Sequence, residues 1–170
     1  MSIQLPKLSL GIKISQALVL GIGLVTGLLV DLPAIAQNPT TIFENPTLSP
    51  NFTPDPTMVR GISGGDVPAS QITGKAETAT GPCNGFVDTA PDHTIVLTQY
   101  FNYLSLQVQS TDDTTLVIRG PGGTWCNDDY SGKNPGIAGK WLSGTYQIWV
   151  GSYQKDKYFP YVMRITELQQ

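Results

Sequence analysis

Between residues 103 and 109 the chain reads Tyr-Leu-Ser-Leu-Gln-Val-Gln, so Leu104, Leu106 and Val108 alternate with Ser105, Gln107 and Gln109. A period of two marks a strand with one buried face. The pattern returns twice near the C-terminus. Tyr146, Ile148 and Val150 alternate with Gln147 and Trp149, and Tyr161, Met163 and Ile165 alternate with Val162, Arg164 and Thr166. Residues 114–119 are rich in β-branched side chains and stop at Gly120-Pro121-Gly122-Gly123, a turn by composition. Shorter strand candidates lie at 85–88, 93–98 and 123–127. No segment sustains a helical stripe. About seven short strands with turn signals between them predict an all-β fold, two antiparallel sheets packed as a jelly-roll-like β-sandwich. Composition agrees, because 18 Gly and 13 Pro supply turns while charged residues, at 14%, are too few for surface helices.

The N-terminus has a different character. Residues 1–13 carry Lys7 and Lys13 with no acid, residues 14–30 are uncharged and mostly apolar, and Ala34-Ile35-Ala36 places small residues before Gln37. Those are the three parts of a secretory signal in order, so residues 1–36 are expected to be a signal peptide cleaved after Ala36. The alternative is an uncleaved anchor, disfavoured by Gly21, Gly23 and Gly27 inside the apolar run. Cleavage would deliver the protein to the periplasm or the exterior with no membrane span. Residues 37–58 hold repeated Asn-Pro-Thr and little periodicity, which reads as a Pro-rich linker, and the folded domain is expected over 59–170.

Export decides how to read Cys83 and Cys126, the only two cysteines. Outside the cytoplasm such a pair usually oxidises, so a disulfide is expected, with a free buried pair as the alternative. Two cysteines and one histidine make a poor zinc site.

The net charge of −3, with no clustered Lys/Arg surface, argues against nucleic acid. The richest constellation of polar chemistry is Trp125-Cys126-Asn127-Asp128-Asp129-Tyr130, followed by Ser131-Gly132-Lys133-Asn134, with Asp113 in a neighbouring turn. Calcium takes carboxylate, amide and carbonyl oxygens from irregular loops, and Asp113, Asp128, Asp129 and Asn134 supply them. Asp and Asn also lock turns through their own backbone, so these residues form a calcium site or a metal-free locked turn. Catalysis finds less support. His93 is the only histidine and has no G-x-S-x-G elbow, and Gly120-Pro121-Gly122-Gly123 lacks the Lys-Ser/Thr of a phosphate loop. Among the aromatics of the C-terminal half, Trp149 opposes the Tyr146/Ile148/Val150 face by alternation. With Tyr130 and Tyr153 it is a candidate for stacking on a ligand, the alternative being that neighbouring loops cover its face and bury it.

The segments Asp113-Thr114-Thr115-Leu116-Val117-Ile118, Gly-Pro-Gly-Gly, Cys126-Asn127-Asp128-Asp129, Asn134-Pro135 and Gly144-Thr145-Tyr146-Gln147-Ile148-Trp149-Val150-Gly151 resemble the bacterial pre-peptidase C-terminal domain family. The resemblance covers roughly residues 60 to 170 and is strongest after Asp113. It implies a jelly-roll-like sandwich, usually appended to secreted proteases, that aids secretion, localisation or substrate binding without cleaving anything. It also implies that calcium and protein substrates are bound by some relatives, including collagen-binding domains. This chain carries no protease segment, so a role defined by a catalytic neighbour does not transfer.

The expectation is therefore an exported, non-catalytic binding module for an envelope, matrix or protein ligand, with protein or glycan as partner. It requires no cofactor, and calcium is the one ion its residues suit. A structural envelope protein without a specific ligand is the alternative, and a hydrolase using His93 a remote one.

Overall fold

The computed structural model describes residues 42–169, so the expected signal peptide lies outside the described residues. Thirteen strands and one short helix follow in chain order. They are β1 (Thr47–Leu48), β2 (Thr57–Ser63), β3 (Val67–Pro68), α1 (Ala69–Thr73), β4 (Glu77–Thr78), β5 (Gly81–Pro82), β6 (Phe86–Val87), β7 (His93–Leu97), β8 (Phe101–Ser110), β9 (Thr114–Gly120), β10 (Gly123–Asn127), β11 (Gly136–Trp141), β12 (Gly144–Ser152) and β13 (Phe159–Thr166). Among the described residues no helix is long and apolar enough to cross a membrane.

Two sheets form the all-β sandwich that the alternating runs predict. One runs β11-β8-β13-β2, antiparallel throughout. The other is built on β12, which pairs β7 along its first half, β9 along its second and β6 at Ser152; β1 lies outside β7, β3 outside β6 and β10 outside β9. Only β1 against β7 is parallel. The paired strands β4 and β5 stand apart as a small hairpin.

Side-chain alternation sorts residues between two cores. The register aligns Trp125, Ile118, Ile148 and His93 across β10, β9, β12 and β7, and this row faces the β11-β8-β13-β2 sheet. There it joins Leu104, Leu106, Val108, Met163 and Ile165 in the main core. The row one residue along, Cys126, Val117 and Trp149, faces the other way and forms a second core with Ala69, Cys83 and Val87. Successive side chains of a strand point to opposite faces, so one register fixes both cores.

The cover of the second core is pinned by the expected disulfide. Cys83 and Cys126 are bonded, with Cα atoms 5.1 Å apart. The cover also tucks in β10, whose outer edge has no strand neighbour along Cys126: the Cys126 amide donates to the Thr78 hydroxyl (2.9 Å) and the Thr80 hydroxyl donates to the Cys126 carbonyl (2.8 Å).

The stretch read as a linker departs from expectation. Within 42–58, Leu48 is buried in the main core, Phe52 packs on Phe101 with centroids 6.3 Å apart, and β1 extends the sheet at β7. The Thr53-Pro54 and Asp55-Pro56 peptides are cis. A Pro-rich stretch lacks the periodicity that announces burial, yet a few well-spaced apolar residues suffice to strap it to the sandwich.

Candidate functional site

The site nearest to hydrolytic chemistry, at His93, is a structural joint. His93 is 1% exposed. Its Nδ1 lies 2.7 Å from the Glu44 carbonyl, which only accepts, so Nδ1 carries the hydrogen; in the neutral ring Nε2 then accepts the Tyr161 hydroxyl at 2.7 Å. Burial pushes the imidazole below its ordinary pKa and the phenol above its own, which keeps both neutral and the bond intact. Beside them, burial raises the Asp92 carboxyl to about 7, although the Val150 amide donates to it at 2.7 Å. Both nitrogens of His93 are spent inside the protein, so the ring has none to offer a substrate.

Trp149 requires a correction. A candidate stacking surface whose face neighbouring loops could equally cover, it is 3% exposed in the second core, with the Arg119 guanidinium 5.4 Å from its ring centroid. Arg119 also donates to the Ile72 carbonyl and so ties α1 over the ring. Alternation placed Trp149 on the outer face of its sheet as expected; the disulfide-pinned cover then shields that face. Tyr153 is exposed after β12, with its amide donating to the Asp113 carbonyl (3.0 Å).

The acidic loop is stitched by its own polar groups. Asn134 Oδ1 accepts the Ser110 amide at 2.9 Å, Asn134 and Ser131 exchange backbone hydrogen bonds, and Asp128, nearly buried, accepts the Asn84 side-chain amide at 2.9 Å. Burial raises the Asp113 pKa, and Asp129 then Asp128 add to it against the opposing pull of Lys133. Yet among the described residues no group of three or more His, Cys, Asp and Glu side chains converges to hold a metal ion. Asp128 and Asn134 each spend an oxygen on a protein donor.

The geometry instead brings together aromatics along β11. Trp125, in the inward row of β10, packs against Trp141 (centroids 6.2 Å) and Tyr146 (6.4 Å), which lie 4.9 Å from each other. The two rear rings are fixed by hydrogen bonds, Trp141 Nε1 to the Leu104 carbonyl and the Tyr146 hydroxyl to the Leu142 carbonyl, both 2.9 Å. Trp141 reaches its inward position through a register shift between Gly139 and Trp141, where Gly139 adopts φ +152°. Trp125 remains half-buried, and its indole N–H has no hydrogen-bond partner among the described residues. In front lies a cavity of about 200 Å³ bordered by these three rings, Thr80, Lys140 and Leu142.

A second cavity, about 280 Å³, opens near the start of the same strand, bordered by Tyr130, Ser131, Asn134, Gln107 and Gln109. Two residues singled out in the sequence for different reasons, Tyr130 and Asn134, meet here. Tyr153 lines neither cavity. The place of Trp125 beside a cavity escaped sequence reasoning because a tryptophan on a strand looks alike whether its neighbours bury it or leave a cavity before it.

Fold and cavities define a disulfide-stapled all-β sandwich with an aromatic-lined edge. No family model matches the chain. It is similar to an uncharacterized protein of Synechococcus elongatus, 27% identical over 103 residues that cover 58% of this chain and 76% of that protein. Among solved structures it is similar to the pre-peptidase C-terminal domain of a collagenase from Bacillus anthracis, at 11% identity and a TM-score of 0.42, covering 72% of this chain and 95% of that one. That domain carries the name of the family the sequence motifs resemble.

Proposed function

We propose that the protein is an exported, non-catalytic binding module that recognises a glycan of the envelope or matrix, with Trp125 as its stacking platform. One observation carries this reading: a half-exposed indole, backed by two hydrogen-bonded aromatic rings, borders a cavity and keeps its N–H unspent. The apolar face of a sugar ring suits the indole face, and its hydroxyls suit the free N–H, the Thr80 oxygen and the Lys140 ammonium. The cavity is smaller than the ~300 Å³ at which sites for drug-sized ligands begin, which favours one ring per pocket. Rigid backing matters because a platform that is already ordered loses little entropy on binding. Calcium has no part in this reading; Asp128 holds the Asn84 side-chain amide and Asn134 the Ser110 amide.

The test is a glycan array probed with the secreted protein, followed by calorimetry on the best ligand. Trp125→Ala should weaken binding by about tenfold, the equivalent of roughly 1.4 kcal/mol, and EDTA should leave affinity unchanged. Unaltered affinity in Trp125→Ala would remove the platform from the site. Absence of any glycan ligand would favour the structural envelope role.

A further inference from the structure

The Tyr130 cavity and the Trp125 cavity share one strand. Pro135 borders the first and Ile137 to Trp141 border the second, so the two cavities follow one another along β11, at the edge of its sheet, with Lys140 toward the far side of the second. From Gly136 to Lys140 is four steps of a strand, about 13 Å at roughly 3.3 Å each. That span exceeds one sugar ring and lies within reach of a short oligosaccharide. Among the described residues, the backbone of Ile137 to Trp141 has no main-chain hydrogen-bond partner beyond β8, and Ala138 and Lys140 are exposed along it.

The chemistry of the Tyr130 cavity is specific. No charged side chain borders it. Gln109 and Ser131 make no side-chain hydrogen bond, Gln107 spends only its Nε2 (on Ser105, 3.1 Å), and Asn134 spends only its Oδ1. The remaining amide and hydroxyl groups donate and accept in the same small space, which matches sugar hydroxyls that do both. The neighbouring Asp128 and Asp129 oppose a carboxylated sugar. Tyr130 is set in place by Gly136, where a Cβ would come within 2.8 Å of the ring, so the ring lies directly on the strand. The Gly136 amide is held in turn by Asn127 Oδ1 at 3.0 Å.

We infer that the Tyr130 cavity is a second subsite of the glycan site, which takes a neutral sugar unit further along the same chain from the unit stacked on Trp125. The inference rests on the glycan reading of the Trp125 cavity. It makes the binding site a track along β11, selective for neutral oligosaccharides over single sugars.

The experiment measures affinities of the secreted protein for neutral oligosaccharides of graded length, one to eight units, taken from the series that binds on the array. The six-unit ligand should bind at least tenfold tighter than the two-unit one. Tyr130→Ala should erase most of that advantage and leave the two-unit affinity intact, whereas Trp125→Ala should weaken both. Gln109→Ala, which disturbs no packing, should reduce the length advantage in the same direction and serves if Tyr130→Ala misfolds. A length advantage unaltered in both Tyr130→Ala and Gln109→Ala overturns the second subsite and leaves the Trp125 reading standing. Insensitivity to Trp125→Ala, or binding of no neutral glycan, overturns both.

Discussion

Replacing Cys83 and Cys126 together by alanine should destabilise the fold by an amount set mainly by the loop they close. The bond spans 43 residues. On the chain-entropy relation, a loop of that length loses about 13 cal/mol/K of unfolded-state entropy, or about 4 kcal/mol at 25 °C. For a domain of this size, between the size classes for which slopes are known, each kcal/mol moves the melting point by about 4 °C, so the double variant should melt about 15 °C lower. The loss should be visible where the bond acts. Cys83 and Cys126 cover Trp149 together with Val117, Ala69 and Val87, so loosening them admits water to that indole first. Thermal melts followed by far-ultraviolet circular dichroism, with the wavelength of tryptophan emission recorded in parallel, read both effects. Thiol titration in denaturant should find no free thiol in the parent protein. A double variant that melts within about 3 °C of a parent shown to be thiol-free would refute the loop-closure reasoning.

The buried carboxyl at Asp92 makes stability depend on pH. Its pKa of about 7 in the fold exceeds the ordinary 3.8, so between those values the folded chain holds a proton that the unfolded chain has released, and stability falls as pH rises through that window and levels off above about 7. The buried His93 acts oppositely: its lowered pKa makes the fold lose stability as pH drops below about 6.5. Asp92→Asn keeps an acceptor for the Val150 amide but removes the ionising group, so urea midpoints from pH 5 to 8.5 should show the variant gaining on the parent from pH 5 to about 7 and holding that gain above it; parallel curves throughout would show that Asp92 ionises without cost. Trp149→Ala should lose about 3–5 kcal/mol in chemical denaturation while the protein that remains folded binds glycan as before, and lost affinity at full stability would return Trp149 to the binding surface.

The strands with clean alternation were legible because each has one buried face: β8, β12 and β13 stand where Leu104, Tyr146 and Tyr161 begin their alternating runs. The two strands at the edges of the smaller sheet were not. β2 contains Gly61 and β11 contains Gly136 and Gly139, and glycine removes the side chains by which periodicity is read. Both cysteines were legible as a disulfide from compartment logic, yet their consequence for Trp149 was not, because the cover over that ring comes from residues 67–87, distant in sequence. Tyr130 and Asn134 were picked for separate roles, and only the fold of the loop places them in one cavity. The Asp residues of that loop looked like ligands by type, and the pairing of Asp128 with Asn84 depends on geometry no local pattern encodes.

The staple and the proposed platform are neighbours on one strand, which would couple stability to recognition. Trp125 and Cys126 are adjacent in β10, so their side chains point to opposite faces. β10 is an edge strand with β9 as its one sheet neighbour, an arrangement that by itself leaves a strand free to twist away from the sheet. Here the bond from Cys126 to Cys83 and the hydroxyls of Thr78 and Thr80 hold its outer flank in place of a further strand. Fixing Cys126 on the outer face fixes Trp125 on the inner one, against Trp141 and Tyr146. A stacking platform must hold its position to within a fraction of an ångström to contribute fully, and platforms on edges are the hardest to hold. The disulfide therefore lies on the opposite side of the sheet from the proposed ligand and still determines the orientation of the ring that would meet it.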